Sequence, residues 1–345
     1  MKIESSWLKI INLLVVLGTS LSSGAVALAG SGEPLASDVQ VTILSSNLAN
    51  GATVGEWGFS ALVEADGRCI LFDAGRYPNT VIKNAEVLNV DLSCVTDVVL
   101  SHFHFDHNSG LLPLIKTLHD ETSAAIRRVH VAEGFFNPRR PATKPGTFPT
   151  CMDGEKECNL MIGLREDIEA EGVEFVVHSE AAEIFPSVWI SGPVKRRHPE
   201  HNYPTGSSGS KLEVRVAGDW VDDSIAESQA LVVRTQNGPI VLLGCGHSGV
   251  VNALIQIQET IQDDAIHALM GGLHLFAADD QTLGWTADRL REIGVENLMA
   301  GHCTGIEPLI RLRAGLNLNR RTAVVGAVGS SFVLGEGIRA TNIAM

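Results

Sequence analysis

Four side chains that can bind a metal ion lie within six residues of one another: His102, His104, Asp106 and His107. The preceding residues, 97–100, form an apolar run of the kind that ends a β-strand. Imidazole nitrogens and carboxylate oxygens suit zinc and similar first-row divalent cations. A short irregular loop can turn such donors toward one point, whereas a regular strand or helix would scatter them. The spacing therefore predicts a metal centre at the end of this strand, in preference to a surface loop that is merely rich in His and Asp.

Three further histidines follow apolar, strand-like runs in the second half of the chain. They are His247, His274 and His302, each in a turn that contains glycine. Cysteines lie close to two of them, Cys245 near His247 and Cys303 beside His302. A single histidine of this kind is more often structural. Because the same context recurs three times, we expect these histidines to share one metal-centred site with the first motif.

The elements that must position these residues alternate between strand-length apolar runs and stretches with helical periodicity. Strands are predicted at 39–44, 59–63, 69–72, 98–100, 230–233, 240–243, 267–270 and 297–299, and helices at 80–88, 111–118, 250–261 and 282–293. Each half of the chain thus has strands followed by helices. This arrangement predicts a four-layer αββα sandwich in a single domain over residues 30–345.

Residues 119–228 interrupt this rhythm and are predicted to be an elaborated insertion. The segment contains four prolines between residues 138 and 149. It also contains two basic clusters: the first is Arg139 and Arg140, and the second is Lys195, Arg196 and Arg197, followed by His198 and His201. It is expected either to cap the active site as a lid or to be a passive surface excursion. The basic clusters either bind an anionic substrate or are solvated, and the second interpretation is favoured.

The six cysteines fall into three pairs. Cys151 and Cys158 are seven residues apart and are candidates for a small disulfide, although spacing alone does not fix the sulfur geometry. Cys69 and Cys94 lie in apolar contexts and are expected to be buried thiols. Cys245 and Cys303 belong to the histidine-containing turns described above.

The N-terminus predicts export. Lys2 and Lys9 precede an apolar stretch, and residues 27–29 are Ala-Leu-Ala, which suits a signal peptidase. Residues 1–29 are therefore expected to be a removed signal peptide, with a periplasmic or secreted protein as the product; an uncleaved membrane anchor is the alternative. The formal net charge of −14 argues against nucleic acid or an anionic membrane surface as the main partner.

The motifs together resemble the metallo-β-lactamase superfamily, and in particular its branch of dihydropterin-ribofuranosylaminobenzene phosphate synthase-like proteins. The His-x-His-x-Asp-His segment at 102–107 is the superfamily's motif. The branch is indicated by residues 56–60 (Glu-Trp-Gly-Phe-Ser), 71–75 (Leu-Phe-Asp-Ala-Gly), 244–249, 271–274 and 302–305. The likeness runs from about residue 39 to 304 and implies the superfamily's αββα fold.

The resemblance also implies a set of ligands for two divalent ions. His102, His104 and His247 would bind the first ion, and Asp106, His107 and His302 the second. Cys245 falls at the bridging position, where aspartate is commoner. Zn²⁺ is the expected metal, with Mn²⁺ or Fe²⁺ as alternatives. Asp73 would accept a hydrogen bond from a ligand histidine, and His274 would contact the substrate or assist proton transfer.

These expectations lead to a metal-dependent hydrolase. A metal-bound hydroxide would attack an ester, lactone, phosphoester or amide of a small molecule, and Asp106 would orient it. The sequence has no Gly-x-Ser-x-Gly motif that would supply a serine nucleophile instead. Two alternatives remain open: a non-catalytic periplasmic protein that binds a metal or ligand, and a di-iron redox enzyme of the same fold.

Overall fold

The computed structural model describes residues 34–121, 126–141, 157–200 and 212–344. The predicted signal peptide therefore lies outside the described residues. The strands are β1 (Val39–Ser45), β2 (Ser60–Ala65), β3 (Arg68–Phe72), β4 (Val95–Val99), β5 (Arg128–Ala132), β6 (Arg139–Pro141), β7 (Glu174–His178), β8 (Ala182–Phe185), β9 (Val188–Ile190), β10 (Leu212–Val216), β11 (Asp219–Asp222), β12 (Ala230–Val233), β13 (Ile240–Leu243), β14 (Ala268–Gly271), β15 (Leu298–Ala300), β16 (Ala323–Val325), β17 (Ser331–Val333) and β18 (Gly337–Arg339). The helices are α1 (Thr80–Leu88), α2 (Phe105–Asn108), α3 (Leu111–Glu121), α4 (Leu160–Ala170), α5 (Val250–Thr260), α6 (Asp280–Ile293) and α7 (Ile306–Gly315), with 3₁₀ turns at His302–Thr304 and Asn342–Ala344.

Two large mixed sheets form the centre of the molecule. The first has eight strands in the order β18-β17-β1-β2-β3-β4-β5-β7, and the second has seven in the order β16-β15-β14-β13-β12-β9-β8. Pairs β3–β4 and β4–β5 are parallel in the first sheet, and the three successive pairs from β13 to β16 are parallel in the second. Parallel neighbours end at the same edge, so the loops that follow these strands are close together.

The apolar core is divided into three layers. One lies between the sheets and includes Val41, Phe72, Leu242 and Met270. Residues of α1, α3 and α4 pack on the outer face of the first sheet, and residues of α5, α6 and α7 pack on the outer face of the second. This is the predicted four-layer αββα sandwich, and the fold prediction is confirmed.

Most predicted elements lie within one or two residues of their expected bounds, and the predicted bounds of α1, β12 and β13 match those in the structure. The largest difference at a strand start is in β4, which begins at Val95 instead of residue 98. Thr96 and Asp97 interrupt the apolar pattern there. Both polar side chains have partners, because Thr96 donates a hydrogen bond to Asp97, which also binds Arg128 and His130.

The predicted insertion at 119–228 is more integral to the fold than the sequence indicated. Its described residues supply β5 and β7 to the first large sheet and β8 and β9 to the second. The part outside both large sheets includes the three-stranded sheet β11-β10-β6. Strands β7, β8 and β9 are short and partly exposed, so their apolar periodicity is weak.

The expectation of buried free thiols at Cys69 and Cys94 is wrong, because these residues form a disulfide with a Cα–Cα distance of 5.5 Å. Cys69 pairs with Val95 in the parallel ladder between β3 and β4, which places Cys94 beside it. Cys151 lies outside the described residues, so its disulfide with Cys158 stays a prediction.

None of the helices within the described ranges is long and apolar enough to cross a bilayer.

Candidate metal centre

The predicted donors meet at one edge of the sandwich, where several strands end. The segment with His102 follows β4, that with Cys245 and His247 follows β13, and His302 follows β15. Both sheets thus contribute donors from their facing edges. All seven proposed ligands are at least nine-tenths buried.

The first group of donors consists of three histidines. Nε2 of His102 lies 3.0 Å from Nδ1 of His104 and 3.1 Å from Nε2 of His247. One nitrogen from each ring thus faces a common point, and the three donor atoms lie within 4.8 Å of one another. These are the ligands that the resemblance assigned to the first ion.

The second group consists of Asp106, His107 and His302, whose donor atoms also lie within 4.8 Å of one another. Oδ2 of Asp106 lies 3.3 Å from Nε2 of His302 and 3.8 Å from Nε2 of His107. The structure therefore brings together the three residues that were assigned to the second ion.

Cys245 lies between the two groups. Its Sγ is 3.2 Å from Nε2 of His107, and it forms a further set of close donors with His102 and His107. The resemblance places a bridging ligand at this residue, and that role stays a prediction.

Cys303 was not among the predicted ligands, although the structure places it in a set of close donors with Cys245 and His302. Both cysteines are buried free thiols. The sequence signal was present, because Cys303 lies beside His302 in the same glycine-flanked turn.

Asp73 fixes the orientation of two histidine rings. Its Oδ2 accepts hydrogen bonds from Nδ1 of His107 at 2.7 Å and from Oγ of Ser101 at 2.8 Å. Since the Ser101 hydroxyl hydrogen is used in this bond, its Oγ accepts from Nδ1 of His102, 2.9 Å away. Both rings thus carry the hydrogen on Nδ1 and direct an Nε2 lone pair into the centre.

The electrostatics of the centre favour neutral imidazoles and a charged carboxylate. Burial lowers the pKa of His102, His247 and His302, and it lowers that of His104 to about 4. Burial opposes the ionisation of Asp106, yet the charges of His107 and His302 and a hydrogen bond from His302 hold its pKa well below the usual range. Neutral imidazole and ionised carboxylate are the forms that bind metals.

His107 is the exception, because its pKa is raised, and the cause of this shift supports a cation site. Burial opposes its protonation, but attraction by Asp73 and Asp106 outweighs burial and raises the pKa to about 9. The surroundings of its ring therefore favour a positive charge. A divalent ion satisfies this requirement as a proton does, and the nitrogen, oxygen and sulfur donors are those of zinc or another first-row ion. The residues present thus fit the metals that the fold implies.

The close approach of the two sheets requires a glycine at position 244. A Cβ there would lie 2.0 Å from Oγ of Ser101 and 2.7 Å from Oδ2 of Asp73.

Three residues of the centre have positive φ angles, in the left-handed region that non-glycine residues seldom occupy. They are Asp73 (57°), His274 (50°) and His302 (49°). Such conformations are concentrated at functional sites.

His274 lies beside the centre and belongs to neither group of three ligands. Its ring centroid is 4.5 Å from that of His247, and its side chain is half-buried at the rim. Burial, with the charge of His104, lowers its pKa to about 3. Its expected contact with a substrate stays a prediction.

The basic residues of segment 119–228 are largely engaged within the protein. Arg139 is buried in ion pairs with Asp223 and Glu227, Arg140 pairs with Glu213, and Arg197 pairs with Glu259. Arg196 donates to the backbone carbonyl of His247 at 2.7 Å and so supports the turn that carries this ligand. His201 lies outside the described residues.

Comparisons with known proteins bear on the fold and the family of this chain. Residues 58–175 match the metallo-β-lactamase superfamily. The chain is 28% identical over 256 residues to the 7,8-dihydropterin-6-methyl-4-(β-D-ribofuranosyl)-aminobenzene-5′-phosphate synthase of Methanocaldococcus jannaschii, covering 72% of this chain and 81% of the synthase. An uncharacterised protein of the same archaeon is 26% identical over 275 residues, or 79% of this chain and 93% of its own.

Among solved structures, Tm1679, described as a metal-dependent hydrolase of the β-lactamase superfamily, superposes with a TM-score of 0.62 at 26% identity. The superposition covers 81% of this chain and 94% of that one. The resemblance to the metallo-β-lactamase superfamily and to the synthase-like branch is confirmed. The likeness to the superfamily suggests an enzyme, and the donor clusters are compatible with a metal ion.

Proposed function

We propose that this chain, a protein with the metallo-β-lactamase fold, is a binuclear metal-dependent hydrolase of a small-molecule ester, lactone, phosphoester or amide. The observation that carries the proposal is the pair of three-donor groups that meet around Cys245 at the strand ends. His102, His104 and His247 would hold one ion, and Asp106, His107 and His302 the other. Zinc suits this mixture of imidazole, carboxylate and thiolate donors.

A pair of divalent ions, when bound, supplies Lewis acidity and lowers the pKa of a coordinated water to about 7. The chain's own residues then orient the reactants. Asp106 is held ionised by His107 and His302, so its carboxylate can accept a hydrogen bond from the attacking water. His274 is neutral at neutral pH and faces the rim, where its ring can donate or accept one hydrogen bond to the substrate. Because the donors are buried, bulk water has access to the centre only near the half-buried His274.

A transfer reaction to an acceptor other than water is the second candidate, because the M. jannaschii relative is a synthase. The two reactions differ in the origin of one oxygen atom. Hydrolysis in ¹⁸O-labelled water places the label in the product acid, whereas transfer to another acceptor leaves the products unlabelled.

The test begins with protein purified without chelator, in which metal is quantified and activity is screened across phosphodiester, lactone, ester and β-lactam substrates. We expect between one and two equivalents of metal per chain. Asp106→Asn should lose turnover far more than substrate affinity, because the amide keeps the shape but loses the charge. Asp97→Asn is the matched control, since Asp97 is a fully buried carboxylate that binds His130 outside the centre. Wild-type turnover in Asp106→Asn with full metal content would exclude the proposal.

We also propose that the protein functions in an oxidising compartment, as the signal-like N-terminus predicts. The Cys69–Cys94 disulfide supports this, because structural disulfides are rare where thiols are kept reduced. Sequencing the N-terminus of protein from its native host tests the proposal. A chain that begins at Met1 in the cytoplasm, with both thiols reduced, would contradict it.

A further inference from the structure

Two free thiols lie side by side at the metal centre. Cys245 follows β13 and Cys303 follows β15, and both side chains are buried. Their sulfur atoms lie within 4.8 Å of each other. Sγ of Cys303 also lies 3.8 Å from the backbone oxygen of Cys245. Since the sulfurs of a disulfide are about 2.05 Å apart, the pair is less than about 3 Å short of bonding distance.

A glycine at the end of β14 allows this approach. β14 lies between β13 and β15 in the second sheet, and strands two positions apart in a sheet are separated by about 10 Å. Gly272 directly follows β14, and a Cβ there would lie 2.8 Å from Sγ of Cys303 and 2.1 Å from the backbone oxygen of Gly244. Because position 272 has no side chain, the turns that carry the two cysteines meet across the end of β14. The backbone itself therefore brings the thiols together.

The sulfurs of this pair are also close to the histidine ligands. Sγ of Cys245 lies 3.2 Å from Nε2 of His107, and both sulfurs form a set of close donors with His302. A cysteine binds a metal ion as a thiolate. A sulfur in a disulfide carries no such charge, so oxidation of the pair would remove the thiolate donors from the centre. The same two atoms can thus serve either a metal ion or a disulfide.

We propose that Cys245 and Cys303 form a reversible disulfide in the metal-free protein, and that this disulfide and the bound metal exclude each other. This rests on the proposed function only in taking the donor groups to bind a metal ion. A coordinated thiolate is a poor nucleophile, so the metal protects the pair from oxidation. Once the disulfide has formed, it opposes metal binding in turn.

The oxidant is a hydroperoxide, of which hydrogen peroxide is the smallest. One thiolate attacks the peroxide; a sulfur–oxygen bond forms, the oxygen–oxygen bond breaks, and the leaving oxygen takes up the thiol proton as water. The second sulfur then attacks the sulfenic acid; the sulfur–sulfur bond forms, the sulfur–oxygen bond breaks, and a second water leaves with the second thiol proton. The two thiols together lose two electrons, which reduce the peroxide. A dithiol reductant reverses the oxidation by thiol–disulfide exchange.

The experiment compares metal-free and zinc-loaded protein treated with hydrogen peroxide, which is stopped with catalase. Free thiols are then alkylated in denaturant, and the unreduced digest is analysed by mass spectrometry. We expect a linked peptide that joins Cys245 to Cys303, formed about tenfold faster or more in the metal-free protein. Competition with a chromophoric chelator should show that the oxidised protein binds zinc at least about tenfold more weakly, or about 1.4 kcal/mol. Dithiothreitol should restore the affinity.

Variants assign the oxidation to this pair. In Cys303→Ser the linked peptide should be absent, and dimedone should trap a sulfenic acid on Cys245 because no second thiol is there to resolve it. The matched control is Cys69→Ser with Cys94→Ser, which removes the disulfide between β3 and β4, outside the centre. This double variant should form the Cys245–Cys303 link at the wild-type rate.

Two results would overturn the proposal. One is metal-free wild-type protein in which peroxide oxidises the two cysteines separately or not at all, and the other is a link that forms equally fast with zinc bound. Both are measured on the wild type, so they stand even if a variant fails to fold. If the link forms and weakens zinc binding but no substrate is turned over, hydrolysis is wrong and this inference holds. If a substrate is hydrolysed and no link forms, hydrolysis holds and this inference is wrong.

Discussion

Asp73→Asn should weaken metal binding through the tautomers of two histidines. In the wild type, Oδ2 of Asp73 accepts from His107 Nδ1 and Ser101 Oγ, while Oδ1 accepts from the backbone nitrogen of Ser101. An asparagine that keeps the Oδ1 bond presents its NH₂ group to His107. Two donors would then face each other, so His107 must move its hydrogen to Nε2, the nitrogen that binds the metal.

The substitution also changes the tautomer of His102, a ligand in the first group, because Ser101 lies between Asp73 and His102. The amide of the substituted side chain would donate to Ser101 Oγ, and the hydroxyl would turn its hydrogen toward Nδ1 of His102, 2.9 Å away. His102 would then also carry its hydrogen on Nε2. Loss of such supporting contacts typically costs 10- to 100-fold in metal affinity, or about 1.4 to 2.7 kcal/mol. We expect the larger loss in the second group, because His107 bonds Asp73 directly and also loses the attraction of its charge.

Competition with a chromophoric zinc chelator measures both affinities, and circular dichroism checks the fold. Asp97→Asn is the control, because Asp97 is equally buried and accepts a hydrogen bond from Nε2 of His130 at 2.9 Å. This variant should lose stability and keep wild-type metal affinity. Wild-type affinity at both sites in Asp73→Asn would refute the tautomer argument. Equal weakening by both variants would show that the effect is general destabilisation.

Two further predictions concern the cysteines and the pH dependence of stability. Cys245 is buried, so in the folded protein iodoacetamide should reach it only when the centre opens, and bound zinc should slow its alkylation further because a coordinated thiolate is a poor nucleophile; an alkylation rate of Cys245 that is measurable without zinc and unchanged by zinc would argue against its role as a ligand. Burial opposes the ionisation of Asp97, but hydrogen bonds from His130, Arg128 and Thr96 outweigh it and lower the pKa to about 2. Since this pKa is below the unfolded value of about 3.9, Asp97 stabilises the fold above pH 4 and loses this contribution as the pH falls through about 2. Asp97→Asn should therefore cost about 2 kcal/mol in denaturant unfolding at pH 7, and the difference from wild type should shrink below pH 4.

The sequence predicted β12, β13 and β14 well because those strands are short, buried and uninterrupted. All four residues of β12, β13 and β14 are buried, so their apolar runs stand out against polar turns. The site followed from the same signal. In both sheets the donors come directly after the carboxyl ends of parallel strands, and such ends share one edge.

What the sequence did not reveal depends on pairing between distant strands. The Cys69–Cys94 disulfide follows from the parallel register of β3 and β4, which the apolar context of each cysteine does not encode. The strands of segment 119–228 were missed for a related reason. Residues such as Val177 and Val216 are exposed on edge or small-sheet strands, so they break the periodicity expected of a half-buried strand.

The edge-to-face contact between Trp57 and Phe276, two exposed side chains beside the metal centre, shows how the edges of the two sheets combine. Since β2 is antiparallel to both β1 and β3, its first residues lie at the same edge as the last residues of β1 and β3. Trp57 lies three residues before β2 begins and meets His302 from the other sheet, although they are 245 positions apart in the sequence. The ligands follow strands that end at this edge, whereas Trp57 precedes a strand that begins there.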